Sequence, residues 1–289
     1  MHAMTHRERY IETLTFGTPD RIPFQPGSGR ESTLARWHAE GLPANRSPMD
    51  FIRATLGIDD RPARPAPGLG VDFRLIPQFE ETVLEKRSGH LVVQDWKGNV
   101  CEIDDRFDVT YLRHAKDFVT RRWIRCPVEN EADWAAMRKR YTLDAPGRFP
   151  EDFEARCLAA RDRDTVLTVG VSGPFWQMRE WCGFEGLCML MIDQPALVEE
   201  MARFWTDFVL GMLERILQHV TPDVFHISED MAYKAKSMIS MDMARRFCLP
   251  SWLRWSECVR RAGCPLVDMD SDGYVGELIP LWIEGGINV

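Results

Sequence analysis

Residues 165–173, TVLTVGVSG, residues 195–220, PALVEEMARFWTDFVLGMLERILQHV, and residues 223–228, DVFHIS, decide the fold class between them. The run 165–171 is apolar and β-branched with no polar alternation, as expected of a strand covered on both faces. Gly173-Pro174 ends it. In the long segment that follows, Leu197, Met201, Phe204, Phe208, Met212 and Ile216 recur at spacings of three and four, one apolar stripe of a helix. The run 223–228 then begins a second strand. Strand, helix and strand in this order predict parallel pairing through a right-handed crossover.

The alternation continues in both directions. Downstream, 241–262 reads as a helix in two pieces split at Pro250, 265–269 as a strand, and 274–284 as a helix closed by Gly285-Gly286. Residues 287–289 then begin another strand. Upstream, 175–182 and 186–192 follow the first strand as helices, and 130–141 and 151–161 precede it as helices. Before these lies a β-rich block. Residues 81–86, 90–95, 99–103 and 118–125 read as strands, with turns at Ser88-Gly89 and Lys97-Gly98-Asn99. It is too hairpin-like for a βαβ unit, and we read it as a small inserted β-hairpin sheet at about residues 72–126.

At the N-terminus, 5–16 reads as a helix capped by Thr5, with Glu8 at capping-box spacing. Residues 21–25 read as a first short strand, 26–30 as a loop, 34–40 and 49–56 as helices, and 61–70, RPARPAPGLG, as loop. This makes about five barrel strands and the start of a sixth. The expected architecture is α/β: a (β/α)8 TIM barrel in one domain over 1–289, incomplete at its C-terminal end. An open doubly wound sheet is the alternative, disfavoured because no Gly-rich phosphate loop opens a helix.

Composition narrows the function classes. Of the 289 residues 45% are hydrophobic, enough for a sizeable core. The net charge of -8 and the lack of a basic patch argue against a nucleic-acid partner. The cluster Arg138-Lys139-Arg140 reads as a solvated helix face. The polar start, MHAMTHRERYIETL, has no apolar signal region, and no stretch approaches 18 apolar residues, so neither secretion nor a membrane span is expected. The eight cysteines include no C-x-x-C pair, which fits reduced, mostly buried thiols in a cytoplasmic protein.

Three stretches carry a family resemblance. RERYIETLTFGTPDRIPF (7–24), GPFWQMREWCGFEGLCMLMIDQPALVEEM (173–201), and DVFHISEDMAYKAKSMISMDMARRFCLP (223–250) followed by VDMDSDGYVGELIPLWIEGGIN (267–288) occur in family order. They resemble the opening, third-strand, and fourth- and fifth-strand segments of the uroporphyrinogen decarboxylase superfamily. The resemblance covers about two thirds of the chain. It implies a (β/α)8 barrel and one of two chemistries: decarboxylation of a tetrapyrrole, or methyl transfer between a corrinoid protein and a thiol or another acceptor, assisted by zinc. Members run beyond this length.

Function in barrels sits where strands end. Residues 226–230, His-Ile-Ser-Glu-Asp, place His226 and Ser228 on one face and Glu229 and Asp230 at the strand's end. We take His226, Glu229, Asp230 and Asp270 as candidate acids, bases or ligands; a hydrogen-bonded core histidine beside solvated acids is the bland alternative. Asp268, Asp270 and Asp272 alternate before Gly273, so their repulsion must be offset by a cation or by shared protons. In the zinc methyltransferases the matching place reads His-x-Cys-Gly; on that register Asp270 and Asp272 stand where the ligands would be. A thiolate ligand for zinc is therefore missing at that position. The expected metal set is Glu229, Asp270 and Asp272 around Zn²⁺, Mg²⁺ or Mn²⁺.

Arg30, after Gly27-Ser28-Gly29, matches the position where the family's decarboxylases grip carboxylates, and a surface arginine is the alternative. Arg179, Tyr233 and Lys234 complete the substrate-binding candidates, with Phe175 and Trp176 as an apolar wall or plain core. No counterpart of the decarboxylase's catalytic aspartate can be placed. The leading expectation is a methyltransferase-like enzyme acting on a small molecule, with a corrinoid protein as partner and a homodimer as the candidate assembly. A decarboxylase (carboxy-lyase) of a tetrapyrrole or other polycarboxylate, and a non-catalytic binding protein, stay open.

Overall fold

A computed structural model of the chain describes residues 3–24, 29–58, 64–114, 117 and 119–289. The N-terminal region holds three helices, α1 (His6–Leu14), α2 (Glu31–Ala39) and α3 (Pro48–Leu56). The capping box forms: Thr5 Oγ1 accepts from Glu8 N at 3.1 Å, and Glu8 Oε2 accepts from Thr5 N at 2.8 Å. Residues 21–24 do not form the expected first strand, and Gln25 lies outside the described residues. Pro23 lacks the N–H that a ladder needs, which four flanking residues cannot outweigh.

The β-rich block is an antiparallel meander in the order β1-β2-β3-β4, comprising β1 (Thr82–Arg87), β2 (His90–Gln94), β3 (Val100–Asp104) and β4 (Arg121–Arg125). The short helix α4 (Tyr111–His114) lies in the β3–β4 connection. Val93, Cys101, Ile103 and Leu112 form a small apolar cluster of their own under the meander. Next come α5 (Glu131–Met137) and α6 (Phe153–Arg161).

From here strand and helix alternate as expected: β5 (Thr168–Ser172), α7 (Pro174–Cys182), α8 (Phe184–Asp193), α9 (Pro195–Leu217), β6 (Val224–Ser228), α10 (Met241–Phe247), α11 (Leu249–Arg261), β7 (Leu266–Asp270) and α12 (Ile279–Glu284). The three strands pair in parallel in sequential order, β5-β6-β7. Residues 287–289 extend the sheet beside β7: Asn288 N donates to Val267 O at 2.9 Å and Met269 N to Val289 O at 3.2 Å. Among the described residues the parallel sheet has three strands and this short fourth rung, fewer than expected, and it does not close into a barrel. The expected helix over 274–284 forms only from Ile279, because Gly276 and the turn at 276–278 precede it.

Register divides the sheet into two unlike faces. Val169, Phe225 and Val267 are aligned and buried, as are Val171 and Ile227 above them. This face packs on α9 and α11, whose stripes carry Trp205, Phe208, Met212, Trp252 and Trp255, all buried. On the opposite face only the first layer is apolar, with Val224 beside Leu266. The second layer is Gly170, His226 and Asp268, and the third Ser172, Ser228 and Asp270. Arg7 of α1 closes the N-terminal end: its Nε and Arg163 Nε each donate at 2.9 Å to the buried Asp223 carboxylate.

No described helix is long and apolar enough to cross a membrane. The eight cysteines are all free, six of them buried.

Candidate active site

The second and third layers of the polar face form a hydrogen-bonded line. His226 Nδ1 lies 2.9 Å from Asp268 Oδ1 and 3.1 Å from Oδ2. His226 Nε2 lies 3.1 Å from Ser228 Oγ. A carboxylate can only accept, so Nδ1 carries the proton and Nε2 of the neutral ring takes the Ser228 hydroxyl proton as an acceptor. Strand geometry makes this arrangement: residues 226 and 228 share a face, and the parallel register sets 226 beside 268. Gly170, on the other side of His226, brings no side chain, so the ring keeps an open flank; a Cβ there would sit 3.5 Å from His226 Cδ2.

The hydrogen bond from Asp268 raises the His226 pKa. Partial burial opposes it, and the charges of Asp268 and Asp270 add to it. The imidazole side chain is 32% exposed, open enough for a ligand to reach it.

Above the line, the ends of β5, β6 and β7 are bound together. Asp270 O accepts from Glu229 N at 2.9 Å and from Asp230 N at 3.2 Å. Asp230 is a non-glycine residue at φ +41°, and three further hydrogen bonds hold it there. Arg179 Nη2 donates to its Oδ2 at 3.2 Å, Arg179 Nη1 to its carbonyl at 3.1 Å, and Asp272 N to its Oδ1 at 3.2 Å. The Arg179 guanidinium also lies 4.5 Å from the Trp176 ring centre. Gly273, at φ +90°, presses against the loop after β6, where a Cβ would meet Tyr233 O at 2.7 Å.

Glu229 has a different place from the one expected. It is fully buried. Its Oε2 accepts from Trp176 N at 3.0 Å, in the first turn of α7, and its Oε1 from Trp252 Nε1 at 2.9 Å, on α11. The carboxyl thus caps α7 and ties it to α11 and the end of β6. Burial pushes its pKa up to about 7, against the lowering effect of these donors. Gly173 leaves room for it: a Cβ there would stand 2.3 Å from Glu229 Oε2.

The expected metal set of Glu229, Asp270 and Asp272 does not come together in this geometry. Among the described residues no three His, Cys, Asp or Glu side chains converge where one cation could sit. Both Glu229 oxygens already accept N–H groups, and Glu229, Asp270 and Asp272 do not gather. The donor set does not fit a tightly held ion. Of the substrate-binding candidates, Arg179 stands at the strand ends. Tyr233 and Lys234 lie on an exposed loop beside them. Arg30 is the N-cap of α2, and hydrogen bonds from Ser32 N to Asp117 and from Tyr111 to Glu31 join that helix's start to the β3–β4 connection. Gly27 and Ser28 lie outside the described residues. Asp268 and Ser228 were the partners left unassigned. The signal for Asp268 was its position in the Asp-x-Asp-x-Asp string, and for Ser228 its two-residue spacing from His226.

The strand order and site together define the class: a mixed α/β protein with a sequentially ordered parallel sheet and polar groups at its C-terminal end. A solved structure shares that fold, a methyltransferase from Methanosarcina mazei, with TM-score 0.51 and 14% identity over 99% of this chain and 75% of that chain. No family model matches the sequence, and no curated protein does.

Proposed function

We propose that this chain is a methyltransferase-like enzyme on a barrel of the uroporphyrinogen decarboxylase type, with His226 as its acid–base group. The observation that carries the proposal is the Asp268–His226–Ser228 line on the open face of the parallel sheet. Its support is the likeness of fold to a methyltransferase along nearly the whole chain.

In this reading a small-molecule acceptor, a thiol or hydroxyl, sits over His226 and Ser228. As the methyl group passes from its donor to the acceptor's sulfur or oxygen, the acceptor's proton moves to His226 Nε2, directly or through the Ser228 hydroxyl. Asp268 holds the Nδ1–H tautomer and stabilises the imidazolium that forms. Arg179, fixed by Asp230, orients the acceptor beside Trp176. A corrinoid protein is the proposed methyl donor. No step passes through a metal held by Glu229, Asp270 and Asp272.

A second reading, decarboxylation of a polycarboxylate, is favoured by the raised His226 pKa: the Asp268 hydrogen bond favours the imidazolium, the form that can protonate the carbon left when carbon dioxide departs. One experiment separates the two. Purified protein is given methylcobalamin and a simple thiol, and thioether formation is followed; in parallel, carbon dioxide release is followed from uroporphyrinogen. Thioether that forms with wild type and falls about 10²-fold or more in His226→Asn supports methyl transfer. Turnover unaffected by His226→Asn rejects both readings.

A further inference from the structure

A cleft with a volume of about 1150 Å³ lies between the meander and helices α7 and α8. Strand β4 forms one wall. A register shift in its ladder, with Trp123 opposite Cys101 and Arg125 opposite Val100, brings residues 123, 124 and 125 all to the cleft, together with Arg121. Trp123 is 52% exposed although it is the largest side chain on the strand. The Arg121 guanidinium lies 5.1 Å from its ring centre.

The other cations of the walls are committed. Arg113 pairs with Glu81 at 2.9 Å, Arg179 with Asp230 at 3.2 Å, and Lys97 with Glu180. Arg121 and Arg125 have no carboxylate in ion-pair contact among the described residues. Of the remaining wall acids, Asp95 is buried in the β2–β3 turn, where Lys97 N, Asn99 N and Asn99 Nδ2 donate to it, and Glu129, Glu185 and Asp193 stand on the β4–α5 link and at the two ends of α8. Facing β4 are apolar groups of α8, Phe184 and Met189, 47% and 54% exposed. Two guanidiniums without a carboxylate in ion-pair contact, beside a half-exposed indole and with an apolar wall opposite, match an apolar flat body with an anionic head.

We propose that this cleft binds an aromatic anion, its ring between Trp123 and the α8 wall and its carboxylate, sulfonate or phosphate on Arg121 and Arg125. Trp176 and Arg179 belong both to the cleft and to the strand-end site. Resting on the function proposed above, the cleft is where the substrate's aromatic, acidic part lies. Binding is read without turnover, so its failure is distinct from a failure of methyl transfer.

The test is fluorescence titration of the full chain with 8-anilinonaphthalene-1-sulfonate and with its uncharged analogue N-phenyl-1-naphthylamine. One saturable site per chain is expected, with the anion bound about tenfold more tightly or better. Arg121→Gln/Arg125→Gln should erase that preference and leave the neutral analogue nearly unchanged. Trp123→Ala should weaken both probes. Arg122→Gln removes the same charge from the same strand outside the cleft and should change neither. Circular dichroism confirms that each variant is folded. The proposal is overturned by absence of a saturable site in folded protein, by an anion preference that survives the double substitution, or by equal effects of Arg122→Gln and the cleft arginines.

Discussion

The buried carboxyl of Glu229 makes stability depend on pH in the direction opposite to most paired carboxylates. Its pKa is about 7 in the folded chain against an ordinary 4.5. Between these values the folded chain holds a proton that the unfolded chain has released, so stability falls as pH rises through the window. The shift amounts to roughly 2.5 kcal/mol lost between pH 5 and pH 9. Glu229→Gln removes the titration. Its amide oxygen can accept only one of the two buried donors, Trp176 N and Trp252 Nε1. The other then faces an NH₂, at a cost of about 1–3 kcal/mol. At pH 5 the variant should therefore be less stable than wild type by that amount. At pH 9 the gap should close or reverse. Urea unfolding at fixed pH, followed by fluorescence of the buried tryptophans around α11, measures both. A gap independent of pH, or one that widens toward pH 9, would refute the capping role and its electrostatics.

The contact between Gly173 and this carboxyl predicts strong coupling. Gly173→Ala alone should cost several kcal/mol, since its Cβ would stand 2.3 Å from Glu229 Oε2 while its backbone, at φ -64°, accepts any residue. In the double variant with Glu229→Ala the costs should be far from additive, as a double-mutant cycle in thermal or urea unfolding would show. Asp268→Asn should lower the His226 pKa, because the Asp268 hydrogen bond is the largest contribution to its rise. Turnover should fall about 10²-fold and its pH profile should shift to lower pH; a variant that only loses stability would leave the profile in place. Asp270→Asn/Asp272→Asn should leave the metal content of purified protein unchanged by mass spectrometry, since these side chains do not converge with Glu229. Loss of one equivalent would reinstate the metal.

Much of the fold was legible because it rests on local periodicity. The α9 stripe, the capping box of α1, the hairpin turns of the meander and the β-branched runs of β5 and β6 each follow from a few neighbouring residues. The expected strand is absent over its described residues 21–24, at Pro23, and the early part of the last helix is absent at Gly276, both cases where a breaker outweighs a favourable pattern. The site was half legible. Two-residue spacing put His226 and Ser228 on one face, but only inter-strand register, which no single strand encodes, set Asp268 beside His226. The surroundings of Glu229 were hidden for the same reason: next to Asp230 in sequence, it lies under α7, in space that Gly173 leaves free. Arg30 was placed by resemblance alone, and its helix lies against the β3–β4 connection.

The most direct test of the account is the titration of His226 itself. The protein, labelled with ¹⁵N-histidine, is followed by NMR from pH 5 to 9, beside the pH dependence of thioether formation. The account expects a neutral ring protonated on Nδ1, a midpoint above the ordinary 6.5, and a methyl-transfer rate that rises with pH through that same midpoint. A rate that stays flat while His226 titrates would contradict it and remove His226 from the chemistry.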